Sequence, residues 1–242
     1  MAKGKLLLVP TTMGSDNWEH VIPEEVKKLT VNTRHFAVEN IKTARRFLRR
    51  LDRAFPIDES VFYILNKNTD PSELPAMIKA IKEGHDVAII SEAGCPGIAD
   101  PGADLVAYAH QKGVFVSPLT GPSSILLGLM GSGFNGQSFV FHGYLPRDRK
   151  PRIGTFKDFE KTATKTGQTQ IFMETPYRNM NVLEDLLNEC MDTTFLCIAC
   201  DLTLPTERIQ TMTIADWREN AFDLSKRPTM FLIGRPFSNA GR

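Results

Sequence analysis

The chain has 242 residues, 42% of them hydrophobic and 24% charged. This is an ordinary globular composition, long enough for one large domain or two small ones, and it excludes a disordered or fibrous chain. Lys and Arg number 29 against 28 Asp and Glu, a net charge of +1 that by itself points to no partner.

Strand and helix patterns alternate from the start. Apolar runs predict strands at Lys5–Val9, His35–Glu39, Val61–Leu65, Asp86–Ile90 and Val114–Ser117. Between them, helices are predicted near Pro23–Leu29, Lys42–Arg53, Pro71–Glu83 and Pro101–Lys112. The third is well punctuated, with Asp70 as cap, Pro71 first, Glu73 at the capping-box position and Gly84 at the stop. A second half begins near Leu119. It offers a helix from Pro122, then strands Ser138–His142, Thr169–Met173, Phe195–Asp201, Arg208–Thr213 and Thr229–Ile233, with helices near Arg152–Thr162 and Pro176–Cys190. These strands look more mixed, and Arg208–Thr213 suits an antiparallel partner. The pattern predicts an α/β protein of two domains, 1–118 and 119–242, with a hinge near Ser117–Gly121. No apolar run approaches the ~20 residues of a membrane span, and no signal peptide is apparent. The expected location is cytoplasmic, with no membrane partner.

Several predicted strands end in Gly/Pro-rich loops. The most specific is Ser91-Glu92-Ala93-Gly94-Cys95-Pro96-Gly97-Ile98-Ala99-Asp100-Pro101-Gly102. Asp100 is expected as N-cap of the following helix, with Pro101 at its first position and Gly113 at its stop. Loops at the carboxyl ends of strands are where α/β proteins bind ligands. Others are Pro10 to Ser15, Pro118 to Ser124, Phe141 to Pro146 and Met173 to Arg178. There is no Gly-x-Gly-x-x-Gly after the first strand and no Walker sequence. Cys197 and Cys200 have redox spacing but sit in an apolar strand, where positions three apart face opposite ways. They and Cys95 and Cys190 are expected to be spectators, and no metal site is expected.

This order of motifs resembles the tetrapyrrole methylase superfamily, and within it the branch that methylates the ribose 2′-hydroxyl of a cytidine in small-subunit ribosomal RNA. The branch's Pro-Thr-Pro-Ile-Gly-Asn is matched by Pro10 to Ser15. Its Asp-Ala-Gly-Thr-Pro-Gly-Ile-Ser-Asp-Pro-Gly is matched by Ser91 to Gly102, with Glu92 replacing the first Asp. Pro-Gly-Pro-Ser-Ala is matched by Thr120 to Ser124, Phe-x-Gly-Phe-Leu-Pro by Phe141 to Pro146, and Glu-Ser-Pro-x-Arg by Glu174 to Arg178. The resemblance implies two α/β domains of the tetrapyrrole methylase type, a cofactor cleft between them, S-adenosylmethionine (SAM) as cofactor, and a homodimer. The residues it assigns to the cofactor are Pro10, Ser91, Ala93, Gly94, Pro96, Ile98, Asp100, Thr120, Ser123, Ser124, Met173 and Leu202. Free amides at helix starts near Pro101 and Pro122 would favour the cofactor's carboxylate.

On the acceptor side, the branch's Glu-Asp-Thr-Arg reads Glu39-Asn40-Ile41-Lys42. Glu39 and Lys42 are the candidate catalytic residues, one as general base and the other as phosphate holder or deprotonation aid. The next helix carries a basic face, Lys42, Arg45, Arg46, Arg49, Arg50 and Arg53, opposite an apolar face of Ala44, Phe47, Leu48 and Leu51. A basic stripe on a near-neutral chain suits a nucleic-acid backbone, and Arg45, Arg46, Arg49 and Arg53 are the candidate RNA contacts. A second basic cluster is Arg147, Arg149, Lys150 and Arg152. The branch's His-Glu-His-Asn-Glu-like segment is replaced by Leu65 to Asp70, and its late basic element by Cys200 to Glu207. Three functions follow: ribose 2′-O-methylation in small-subunit ribosomal RNA, methylation of a tetrapyrrole-type small molecule, or binding of SAM or RNA without catalysis.

Overall fold

The computed structural model describes residues 4–236, which form two compact units that meet in sequence between Ser123 and Ser124. The first unit alternates β1 (Leu6–Val9), α1 (Glu24–Asn32), β2 (His35–Val38), α2 (Ile41–Leu51), β3 (Val61–Ile64), α3 (Leu74–Lys82), β4 (Val87–Ile90), α4 (Gly102–Gln111) and β5 (Val116–Pro118). Its strands form one parallel sheet in the order β3-β2-β4-β1-β5. The strands are apolar on both faces, as a sheet covered by helices on each side requires. Leu6, Ala37, Val87 and Ile89 face a core shared with Leu74, Met77, Ile81, Leu105 and Ala109 of α3 and α4. Leu7, Val9, Phe36, Val38, Ala88 and Ile90 face Ala44, Phe47, Leu48 and Leu51 of α2, with Val31 of α1 against the same cluster.

This topology fixes where a ligand fits. The neighbours β1 and β4 send their chains to opposite faces, β1 into α1 and β4 into α4. At such a switch point the two departing loops leave a crevice beyond the carboxyl ends of the strands.

The second unit contains α5 (Ser124–Ser132), β6 (Phe139–Tyr144), α6 (Arg149–Thr166), β7 (Thr169–Met173), α7 (Asn179–Glu189), β8 (Phe195–Cys200), β9 (Arg208–Thr213), α8 (Ile214–Asn220) and β10 (Thr229–Gly234). Its sheet is mixed, in the order β6-β7-β10-β8-β9; only β6 and β7 are parallel. The antiparallel pairing expected of Arg208–Thr213 is present, against β8. One face carries the core of Phe156, Phe159, Phe172, Val182, Leu186, Trp217 and Phe231. Helix α5 covers the other face, with Gly128 set over Ala199, Met230 and Leu232.

The structure corrects the sequence reading at several ends. The stretch Pro71–Glu83 is a 3-10 turn, Pro71–Glu73, followed by α3; the Asp70/Glu73 capping box closes the turn. The N-cap of α4 is Pro101, not Asp100. Asp100 Oδ1 instead accepts from Gly97 N at 2.7 Å and Gly102 N at 2.8 Å, which ties the loop to the helix start. The helix expected from Pro122 begins at Ser124, and that from Pro176 at Asn179. Helix α8 is an element the periodicity did not give. Its seven residues are two turns, too few for a pattern, and Thr213 caps it by accepting from Asp216 N.

The second basic cluster divides: Arg147 and Lys150 are exposed, while Arg149 and Arg152 pair with acids of α7. Helix α6 starts at Arg149, and the side chain of Arg152 is 7% exposed. Its guanidinium bonds Asp185 Oδ2 of α7 at 2.9 and 2.5 Å, and Arg149 Nε donates to Asp185 Oδ1 at 2.8 Å. These two arginines clamp α6 to α7 and are committed there. All four cysteines are free; Cys190, Cys197 and Cys200 are buried, and Cys95 is half-buried. Burial pushes the Cys190 thiol far up and that of Cys197 up to about 11, so both stay protonated and unreactive.

Candidate active site

Three loops of the first unit meet beyond β1, β4 and β5. Thr11 N donates to Gly94 O at 2.9 Å, and Thr11 Oγ1 to Ser91 O at 3.3 Å. Ser91 Oγ donates back to Gly94 O at 3.1 Å. The Cys95 thiol donates to Pro122 O at 3.3 Å. The glycines are where the loops come closest. At Gly121 an added Cβ would sit 2.2 Å from Pro10 Cγ, so no side chain is tolerated there. Gly94 has φ +69° and its added Cβ would lie 3.3 Å from Pro122 O. Ala99, a non-glycine residue at φ 59°, adds local strain of the sort that collects at binding loops.

The expected cofactor residues of this unit therefore fall in one place. Pro10, Ser91, Gly94 and Pro96 are buried in the loop junction, whereas Ala93, Ile98 and Thr120 are exposed on it, and Asp100 and Ser123 lie between. One detail differs from expectation: the Gly102 amide, offered to a carboxylate by the sequence reading, is taken by Asp100 Oδ1. Ser124, Met173 and Leu202 belong to the second unit. There Ser124 opens α5, Met173 ends β7, and Leu202 is buried in the turn after β8. That turn holds Asp201 at φ 53° and Thr203 at φ 71°; Asp201 Oδ2 is fixed by Arg227 Nε at 2.8 Å and Thr206 Oγ1 at 2.7 Å.

The residues expected on the acceptor side stand at the ends of β2 and β4. Asn40 caps α2, its Oδ1 accepting from Lys42 N at 2.9 Å. Thr43 Oγ1 donates to Glu92 Oε1 at 2.6 Å, joining α2 to the β4 loop. Glu39 accepts from the Glu92 backbone amide and lies near the carboxylates of Glu92 and Asp100. Partial burial, then those two like charges, raise the Glu39 carboxyl above the usual range, which moves it toward what a general base at neutral pH needs. The sign for folding follows: a carboxyl raised on folding stabilises the fold at low pH and opposes it as pH rises through its folded value. Glu39→Gln should therefore raise the urea midpoint relative to the parent at about pH 7 but not at about pH 4. Equal shifts at both would show that ionisation of Glu39 is not opposed. Lys42 is exposed in the first turn of α2.

Arg45, Arg46, Arg49 and Arg50 are exposed on α2, which ends at Leu51 and not at Arg53 as expected, so Arg53 is exposed in the turn beyond the helix; Arg45 also stacks over Phe62 with its guanidinium 5.3 Å from the ring centroid. Among the described residues, only Arg50 of these has a carboxylate partner, Asp16 at 2.6 Å. In the second unit, Arg178 lies 2.9 Å from the buried Glu174 Oε2, at an angle too poor for a hydrogen bond, and donates to Pro146 O at 3.3 Å. This contact explains why Phe141–Pro146 and Glu174–Arg178 occur together: each loop holds the other. The bridging roles of Thr11, Thr43 and Cys95 carry no sequence signal, because hydroxyl and thiol hydrogen bonds follow no pattern.

A family model described as Tetrapyrrole (Corrin/Porphyrin) Methylases matches residues 34–217. The chain belongs to the tetrapyrrole methylases. A relative of this methylase named Ribosomal RNA small subunit methyltransferase I, from Vibrio cholerae, is 30% identical over 98% of this chain and 78% of its own length. Proteins of the same name from Halalkalibacterium halodurans and Thermotoga maritima are 33% and 31% identical, each over 76% of this chain, and over 60% and 77% of their own lengths. Among solved structures, the methyltransferase CobJ superimposes with a TM-score of 0.60 at 18% identity, over 96% of this chain and 94% of that one. A uroporphyrin-III C-methyl transferase from Thermus thermophilus, complexed with S-adenyl homocysteine, gives 0.56 at 13% identity, over 96% and 98%. At these identities the two structures bear on the fold of the methylase alone.

Proposed function

We propose that this methylase uses SAM to methylate a ribose 2′-hydroxyl in small-subunit ribosomal RNA. The observation that carries the reading is the loop junction of Pro10, Gly94 and Gly121 beside an exposed basic helix. The loops fit the cofactor: Gly94 and Gly121 let the three loops pack directly on Pro122 and Pro10, and the rigid backbone groups held this way suit an adenosine and an amino-acid head. Pro10, Ser91, Ala93, Gly94, Pro96, Ile98 and Thr120 would hold it. When bound, SAM supplies a methyl group already activated on its sulfonium.

The chain's own part is orientation and proton removal. Glu39, raised by burial and neighbouring acids, takes the proton of the acceptor hydroxyl. Lys42 and the arginines of α2 hold the RNA backbone. The small-molecule alternative gives no role to this face, and the relatives' shared name supports the RNA reading. No described helix is long and apolar enough to cross a membrane. We further infer a homodimer, from the family resemblance; sedimentation of a monomer at micromolar concentration would refute it.

Changing Arg45, Arg46 and Arg49 together to Gln tests the RNA side. Affinity for small-subunit RNA should fall and its salt dependence flatten, by about 0.7 in log–log slope per lost phosphate contact on a single strand. The helix should persist, since Gln is a good helix former and Phe47, Leu48 and Leu51 stay buried. An unchanged affinity and slope would mark the face as solvated surface and bring the small-molecule reading forward.

A further inference from the structure

A cavity of about 190 Å³ opens beside α2, lined by Thr11, Thr12, Gly14, Thr43, Arg46 and Arg50 with Ser91 and Glu92 and an apolar floor that includes Phe47. Thr43, Arg46 and Arg50 recur at helical spacing, so the groove runs along two turns of α2. Its ends are acidic. Glu92 is bound by Thr43 at one end, and Asp16 reaches Arg50 at 2.6 Å at the other. Between them, Arg46 has no carboxylate partner among the described residues. Thr12, 6% exposed, also lines this cavity, and its hydroxyl has no partner among the described residues.

We propose that this groove is a phosphate subsite that holds one backbone phosphate of the acceptor RNA between Arg46, Arg50 and the Thr12 hydroxyl. The assignment to RNA rests on the function proposed above. Two guanidiniums one turn apart suit the oxygens of a phosphodiester, and a hydroxyl donor completes the set. Asp16 is the internal competitor. Its side chain is 84% exposed and sits on the loop that also carries Thr12 and Gly14, so it leaves Arg50 at little cost when a phosphate arrives. Glu92 repels an anion at its own end, which confines the phosphate to the arginine end and leaves a carboxylate facing the sugar side.

The test is a titration of the full chain with inorganic phosphate, followed by the Nε–H resonances of the α2 arginines. Those of Arg46 and Arg50 should saturate together, while Arg45 and Arg49 drift without saturating. Asp16→Asn should tighten phosphate about two- to five-fold by removing the competitor. Arg50→Gln should weaken it about ten-fold or more. Small-subunit RNA should displace phosphate from both arginines. Uniform, non-saturating shifts, or an Asp16→Asn variant that binds as the parent does, would overturn the subsite. RNA that binds without displacing phosphate would overturn its assignment to the acceptor backbone. The titration needs neither SAM nor methyl transfer, so its failure and that of the proposed function are separately visible.

Discussion

Gly94→Val should leave the chain folded and cut SAM affinity at least ten-fold. The residue stands at φ +69°, where a β-branched side chain costs about 1–3 kcal/mol. Its Cβ would also press on Pro122 O at 3.3 Å. The strain is relieved most readily by rotating the 91–97 loop, which loosens the Thr11 N to Gly94 O bond that joins two of the three loops. A loop rotated this way no longer presents the same backbone groups. About 1.4 kcal/mol of lost preorganisation already amounts to ten-fold in affinity. Calorimetry with SAM checks it, alongside a urea transition to show the variant is folded. A folded variant with the parent's affinity would remove this loop from the cofactor site.

Asp185→Ala should be the more damaging change to stability, by about 3–5 kcal/mol. The side chains of Arg152 and Asp185 are each 7% exposed. Removing the carboxylate strands a guanidinium between α6 and α7, and only the carbonyls of Pro146 and Arg147, at 3.3 and 2.7 Å, remain to it. Replacing both partners, Arg152→Met with Asp185→Leu, should recover most of the loss, because an apolar pair of similar volume needs no compensation. Urea unfolding measures both. A loss under about 1 kcal/mol for Asp185→Ala would mean that the pair is hydrated and contributes as a surface bridge does.

The arginines show why some of this chain was legible in its sequence and some was not. Both basic clusters look alike as text. The one on α2 alternates with Ala44, Phe47, Leu48 and Leu51, and that periodicity correctly turns its charges outward. The one at 147–152 has no such pattern, and its partner Asp185 is 33 residues from Arg152, beyond any local rule. The same division holds elsewhere. The ten strands among the described residues were legible, most of them as apolar runs, and the mixed sheet of the second unit was anticipated at Arg208–Thr213. Ends were not: Asp100 reads as a cap, yet its carboxylate bridges Gly97 and Gly102, which only the folded loop brings together. At the site, the glycines announced themselves because positive φ and close approach demand them. The groove along α2 did not, since Thr12, Asp16 and Arg50 meet only when the loop after β1 lies beside the helix.

Methyl transfer decides the central claim. Small ribosomal subunits from cells lacking the activity are incubated with the full chain and methyl-labelled SAM, and the RNA is digested to nucleosides. The account predicts label in a 2′-O-methylated nucleoside, cytidine by the family resemblance, at one position, with transfer reduced by the Arg45/Arg46/Arg49 variant and lost in Glu39→Gln. Label on a base, label only on a small-molecule acceptor, or SAM binding with no transfer to any subunit would contradict it.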